Sequence, residues 1–393
     1  MTDTIKKICT NCNGDLDVNG VCSDCGHDSS IEQPEVTYLP QFAITADLKR
    51  ENTNFRFMLG KLWKLTDNDI MEFIAKVDEK FKRHKKNHSY IYKNITNTSV
   101  AVNLSKYSKR KVEFEELVSI IMEKLRSEAS ADRRSIKGGS IIFIHYNIES
   151  EEDSLGRLFI LMVDNNNGFN FDGDLIPRMF PTINMDSLRQ AAMIDLTLFD
   201  ATYPENKGEP YLQFITGKST SNFFKRALGC NEELDSALSV NEVSRAVKDF
   251  LSYMNVKKKD KDKVQDAITK LFDKTLKRKA DKKLSIENIQ NIIESTLDDE
   301  KIKGKFSDFV SSKEYKINEF FEPTSYSKKI FETITLADAE KDYCCQISYS
   351  ALGINNKENK KITYSQSDGT ITIKLNENDI KNINDYLGLS KNE

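Results

Sequence analysis

Histidine is scarce in this chain, with four in 393 residues, and there is a single tryptophan. A histidine-based triad therefore has few candidates. No GxGxxG, P-loop, HExxH or GxSxG segment occurs, so the common phosphate-cradling, zinc-protease and nucleophile-elbow chemistries have no local signature. Long apolar runs are missing too. Ser140–Tyr146 and Arg157–Val163 fall far short of the roughly 20 residues that a membrane span requires. The opening MTDTIKKICTNC has no apolar leader core, which predicts a cytosolic, soluble chain. An overall basic excess is absent, since the net charge is −3; any polyanion contact must come from a local patch.

Hydrophobic residues make up 38% and charged residues 30%, enough apolar content to bury a core. The pattern predicts an α+β class: a small four-cysteine zinc ribbon, then a mixed body with a central sheet, a helical subdomain and a C-terminal hairpin-helix unit. The expected division is 1–28 ribbon, 29–37 linker, 38–235 α+β core, 236–304 helical subdomain and 305–393 C-terminal α+β part.

Four of the seven cysteines form two CxxC pairs, Cys9/Cys12 and Cys22/Cys25, nine residues apart. Zn²⁺ takes four thiolates in a tetrahedron, and each CxxC turn supplies two. The expectation is one structural Zn²⁺ whose binding folds the segment, which is too short for a core of its own. Four unliganded thiols or a redox pair is the competing reading. Residues 1–36 carry two lysines against seven acids, net −5, so this segment is expected to meet protein rather than phosphate. Cys230, Cys344 and Cys345 are expected to be buried thiols.

Residues 38–136 read as mostly helical. Thr66 is the expected N-cap of a helix carrying Ile70, Phe73, Ile74, Val77 and Phe81, and a second helix covers about Phe114–Ser127. Gly138-Gly139 then introduces two branched and aromatic runs expected to pair in a central sheet. Gln190–Phe199 and Tyr211–Ile215 are further strand candidates. Ser239 with Glu242 predicts a capping box for a helix lined by Val243, Val247 and Phe250. Helices are expected over about Asp262–Lys279 and from Ser285. Asp368-Gly369 predicts a hairpin turn, followed by a helix at about Glu377–Leu387.

Positive charge is clustered. Residues 257–283 hold twelve Lys/Arg against five Asp, net +7, while Val264, Ile268, Leu271, Phe272 and Leu276 keep a helical apolar stripe that turns the charge outward. Lys80, Lys82, Arg83, Lys85 and Lys86 form a second cluster; Lys106, Lys109, Arg110 and Lys111 form a third. The alternative for each is a solvated face with no partner. His145 sits inside an apolar strand and reads as a core or sheet-face histidine. Asp164–Asp174 lacks EF-hand spacing and reads as turn chemistry. Asp172, Asp174 and Asp195 could on paper make a nuclease carboxylate cluster.

Gly138-Gly-Ser-Ile-Ile-Phe-Ile-His-Tyr146, Ile194-Asp-Leu-Thr-Leu-Phe199 and Tyr211-Leu-Gln-Phe-Ile-Thr-Gly-Lys218 come in that order. Phe223-Phe224, Leu228-Gly229, Ala246-Val-Lys-Asp-Phe250, Phe306-Ser-Asp-Phe309 and Asp368-Gly-Thr-Ile-Thr-Ile-Lys374 follow. In order and spacing, residues about 38–390 resemble the NdpA/YejK-like nucleoid-associated protein family. The resemblance implies a non-enzymatic, cytoplasmic nucleoid protein that binds nucleic acid. The zinc ribbon is an addition to that pattern, and the block after the Tyr-Leu strand is shorter and poorer in Arg/Lys. The expected partners are DNA, read as double-stranded, and a protein that meets the acidic ribbon; a homodimer stays open. The expected phosphate contacts are Lys257, Lys258, Lys259, Lys277, Arg278, Lys279, Lys218, Lys225 and Arg226. An adaptor that contacts DNA only indirectly is the second reading, and a metal-dependent nuclease the third.

Overall fold

The computed structural model describes residues 37–389, apart from positions 53, 93–95, 97, 133–135, 137, 152–153, 172–176, 216–221, 232–234, 326–328, 330–331, 339, 341 and 355–359; for 164–189 only the backbone is described. The two CxxC pairs, Lys218, Asp172 and Asp174 lie outside the described residues.

A seven-stranded antiparallel sheet forms the centre, in the order β2-β1-β4-β5-β6-β7-β3. Its strands are β1 (Tyr38–Glu51), β2 (Asn54–Leu62), β3 (Asn87–Ser89), β4 (Gly139–Ile148), β5 (Arg157–Phe171), β6 (Pro177–Asp195) and β7 (Leu212–Ile215). Both faces of the middle strands are covered, which explains their unbroken apolar runs. Ile141, Phe143, Leu158 and Ile160 point into one core, with Leu117, Ile121 and Leu125. Ile142, Ile144, Phe159 and Leu161 point into the other, against Ile74, Val77 and Phe81. That alternation is the period-2 geometry of a strand.

The first core is closed by α2 (Val100–Ser108), α3 (Phe114–Ala131), α4 (Leu196–Thr202) and α5 (Phe223–Leu228), and the second by α1 (Asn68–Arg83). The expected helix at Phe114–Ser127 is α3. The cap of α1 is Asp67, which accepts from the Asp69 amide at 3.0 Å, in place of the expected Thr66.

Residues 38–62 correct the mostly helical expectation for 38–136, because they form the β1–β2 hairpin. Residues 164–171, read as turn chemistry, continue β5 and pair with β6 from Asn165↔Ile183 to Phe171↔Pro177. The strand candidate Gln190–Phe199 is split, with β6 ending at Asp195 and α4 beginning at Leu196.

A second unit is helical: α6 (Ser236–Tyr253), α7 (Lys258–Leu276), α8 (Ile286–Leu297) and α9 (Lys305–Ser312). Val247, Phe250, Ile268, Phe272, Ile293, Phe306 and Phe309 share its core, which continues to Tyr315, Ile317 and Phe321. The unit thus runs past residue 304, the boundary expected from the sequence. Its N-cap also differs. Asp235 accepts from the Leu238 amide at 3.0 Å. Ser239 is buried one turn inside, and Glu242 accepts from the Lys316 amide at 3.1 Å.

The last part holds hairpin β8 (Thr333–Ala337) and β9 (Cys344–Ser348), a sheet β10 (Leu352–Gly353), β11 (Ile362–Ser365), β12 (Thr370–Ile373), and α10 (Glu377–Tyr386). The Asp368-Gly369 hairpin and its following helix are present as expected. Cys230 is buried, but Cys344 is exposed and Cys345 half-buried, which corrects the expectation for those two.

Candidate nucleic-acid interface

Helix α7 is 19 residues long, about 28 Å at 1.5 Å per residue. It forms because Val264, Ile268, Phe272 and Thr275 recur at helical spacing and bury against the helical unit. The opposite face then follows from geometry. Lys259, Lys263, Asp266, Lys270, Lys274 and Lys277 recur every three or four residues, and all are exposed. Five cations and one acid thus share one outward stripe. Among the described residues no carboxylate lies within 4 Å of Lys259, Lys270, Lys274 or Lys277; Lys263 is held by Asp260 at 2.8 Å. That hydrogen bond, ahead of the neighbouring lysine charges, lowers the Asp260 pKa.

The sequence-predicted residues map onto this helix unevenly. Lys257 is the exposed N-cap and Lys259 begins the stripe. Lys258 is turned aside, 3.8 Å from Asp262 and 3.5 Å from the Leu352 carbonyl oxygen. Lys277, the C-cap, is followed by exposed Arg278 and Lys279, where cations complement the carbonyl end of the helix. The two predicted groups therefore sit at opposite ends of one rod. The residues joining them, Lys263, Lys270 and Lys274, are not among the contacts expected from the sequence. Their signal is the helical spacing of the lysines, which a search for consecutive lysines passes over.

Lys225 and Arg226 on α5 are engaged within the fold. Arg226 donates to Glu128 at 2.8 Å and Asp132 at 3.2 Å, two carboxylates from α3 and its C-cap. Lys225 lies over the Phe214 ring at 5.7 Å. Arg226 is a strut between helices with its charge already compensated, and adds little positive potential for a phosphate.

The second basic cluster is consumed in the same way. At the end of α1, Lys82 bridges Asp78 at 2.9 Å and Glu314 at 3.4 Å. Arg83 holds Glu79 at 2.6 Å, and Lys85 holds Glu287 of α8 at 2.7 Å. Lys86 donates to the carbonyls of Lys82 at 2.9 Å and Phe81 at 3.2 Å, and burial pushes its pKa down to about 8. Through Glu314 and Glu287, Lys82 and Lys85 fasten this end of α1 to the helical unit. The third cluster stays open at the α2–α3 turn, where Arg110 and Lys111 are exposed. It flanks a cleft of about 430 Å³ lined by Phe42, Tyr107, Arg110, Phe114 and His145.

A family model described as nucleoid-associated protein YejK matches residues 49–381, most of the chain and both packed units. The chain belongs to this family. Related proteins are remote in sequence. A nucleoid-associated protein of Shewanella denitrificans is 23% identical over 225 residues, 57% of this chain and 62% of that protein. The nucleoid-associated protein YejK of Salmonella paratyphi B is 21% identical over 284 residues, 72% of this chain and 79% of that one. The match thus spans less than two thirds of the Shewanella relative.

The matched residues include His145 and Asp195. The Nδ1 of His145 is 2.6 Å from the Tyr107 hydroxyl, and Nε2 is 2.9 Å from the Leu155 carbonyl oxygen. The carbonyl requires Nε2 to be the protonated nitrogen, so Nδ1 accepts from Tyr107. Burial lowers its pKa, and the ring is a neutral, doubly bonded strut. Asp195 caps α4, accepting from the Leu198 amide at 2.9 Å. Among the described residues no group of three or more His, Cys, Asp or Glu could hold a metal, and no helix is long and apolar enough to cross a membrane.

Proposed function

We propose that this protein is a non-catalytic, nucleoid-associated DNA-binding protein of the cytoplasm, with the exposed lysine stripe of α7 as its principal phosphate-contacting surface. The single observation that supports this most is that Lys259, Lys270, Lys274 and Lys277 stand exposed on one face with no carboxylate within 4 Å among the described residues, while the other large basic cluster is tied up in ion pairs. The stripe from Lys259 to Lys277 is about 27 Å long, the rise of roughly eight nucleotides of one duplex strand. Flexible ammonium groups along a smooth rod contact phosphates and carry little base information. The binding is therefore expected to be largely indifferent to sequence. Names of the relatives point the same way.

The test is fluorescence anisotropy on a duplex of about 30 base pairs. Replacing Lys259, Lys270, Lys274 and Lys277 together with Gln is expected to weaken binding at least about tenfold at 0.1 M salt. A loss under twofold would remove α7 from the interface.

The N-terminal segment carries a second element of the proposal. Cys9, Cys12, Cys22 and Cys25 hold one structural Zn²⁺, and the acidic segment around them recruits a protein partner. Its support is the doubled CxxC spacing and the net −5 of residues 1–36, which repels phosphate. Native mass spectrometry is expected to find one zinc per chain, lost on Cys9→Ser with Cys12→Ser. A zinc-free native chain would refute it.

A further inference from the structure

The cleft beside the α2–α3 turn belongs to the sheet unit, not to the helical unit that carries α7. Its floor is aromatic. Phe42 lies against Phe114 at 5.2 Å between ring centres and 20° between planes, and against His145 at 6.2 Å and 30°. Phe114 is buried, but Phe42 stays 39% exposed, so part of its ring surface is unstacked. Tyr107 and His145 spend their polar atoms on each other and on the Leu155 carbonyl. Burial raises the Tyr107 pKa and lowers that of His145, so both rings are neutral. The floor thus offers π surface rather than a titrating group.

Two backbone departures bring residues to this cleft. Gln41 is an extra residue in β1 where Pro40 pairs with Tyr146 and Phe42 with His145, a β-bulge that sets Phe42 opposite His145. Helix α2 ends on Lys109, and Arg110 follows with φ of 55°, in the left-handed region. The Arg110 amide donates to the Tyr107 carbonyl and the Lys111 amide to the Lys106 carbonyl, both at 2.8 Å, which is a Schellman ending. Glycine takes this position most readily. An arginine here carries strain that glycine would relieve. Its side chain is exposed, with no carboxylate within 4 Å among the described residues.

We propose that this cleft binds a single nucleotide, its base laid on Phe42 and its phosphate paired with the Arg110 guanidinium. Stacking on an aromatic side chain suits every base, and a guanidinium matches phosphate with two parallel hydrogen bonds. The turn favours an anion, since Lys109, Arg110 and Lys111 stand against Glu113, three cations to one acid. The volume of about 430 Å³ is that of a small-molecule site. Gln41, Ser108 and Asn147 line it with amide and hydroxyl groups for the edge of the base. The only aromatic ring on α7, Phe272, is buried, so the lysine stripe cannot stack a base and the cleft differs from it in kind. A free nucleoside monophosphate and an unpaired nucleotide of a single strand present the same ring and phosphate.

The test is titration of 2-aminopurine riboside monophosphate, whose fluorescence is quenched when its base stacks, into the full-length protein. Saturable quenching with a Kd below about 1 mM is expected. Phe42→Leu is expected to abolish it. Arg110→Gly is expected to weaken the monophosphate at least about tenfold and to leave the weaker binding of the unphosphorylated riboside unchanged. The same variant is expected to keep or raise Tm, because glycine relaxes the left-handed turn. No quenching at millimolar nucleotide, quenching that Phe42→Leu retains, or monophosphate affinity that Arg110→Gly leaves unaltered overturns the proposal. Unlabelled competitors separate the two sources. Displacement by a short single strand at a lower nucleotide concentration than by adenosine monophosphate identifies the strand, and the reverse order identifies the free nucleotide. Displacement by neither overturns the proposal.

Discussion

Asp78 and His88 are both buried, yet their surroundings treat charge oppositely. Asp78 accepts hydrogen bonds from Tyr38 and Tyr146, each at 2.7 Å, and faces Lys82. Burial works to raise its pKa, but Lys82 and the two hydroxyls outweigh it and hold the carboxyl below its ordinary range. His88 has no such help. Among the described residues neither ring nitrogen has a hydrogen-bond partner. Burial, with Lys86 and Lys316 adding repulsion, pushes its pKa down to about 3. An unfolded imidazole binds its proton near pH 6.5, so the folded state loses stability as pH falls from 6.5 toward 3. At pH 5 this amounts to about 2 kcal/mol. His88→Leu keeps the shape and removes the titration. Urea denaturation is expected to show a shallower fall in stability between pH 6.5 and 4.5 than the native chain. Parallel curves would contradict this account of His88.

At the scale of elements, helix caps separate two readings of one sequence. The pattern Ser239-x-x-Glu242 fits a capping box, yet the cap of α6 lies four residues earlier, on Asp235. Asp235→Ala is expected to cost about 1 kcal/mol in urea denaturation. Ser239→Ala tests something different, because its hydroxyl is buried and accepts from the Asn318 amide at 3.2 Å. No measurable loss at Asp235 would contradict the observed cap. The strands β4 and β5 are legible because branched and aromatic runs of that length suit a two-sided sheet. Hairpin β1–β2 is not. Phe55, Phe57 and Leu59 alternate, but exposed Met58 and Leu62 blur the period, and only packing under α3 settles it. The stripe on α7 is legible as an outward charged face. Which basic residues are already paired is not legible, since Arg226–Glu128 and Lys85–Glu287 join positions far apart in the chain.

For the whole molecule, net charge is a poor guide. A chain at −3 can bind a polyanion when its cations are gathered and its acids are spent elsewhere. That division is visible here: Lys82 and Arg226 are spent on carboxylates of neighbouring elements, while the stripe of Lys259, Lys270, Lys274 and Lys277 on α7 is exposed. The acidic residues 1–36 belong to the same balance in sequence, though they lie outside the described structure. The most direct measurement is the salt dependence of DNA affinity, taken on two unrelated duplex sequences. Log affinity is expected to fall linearly with log salt with a slope of about −4 to −6, nearly equal for both sequences. The four-lysine α7 variant is expected to flatten that slope by about 3 to 4. A native slope near zero, or a slope the variant leaves unchanged, would contradict phosphate binding by this helix.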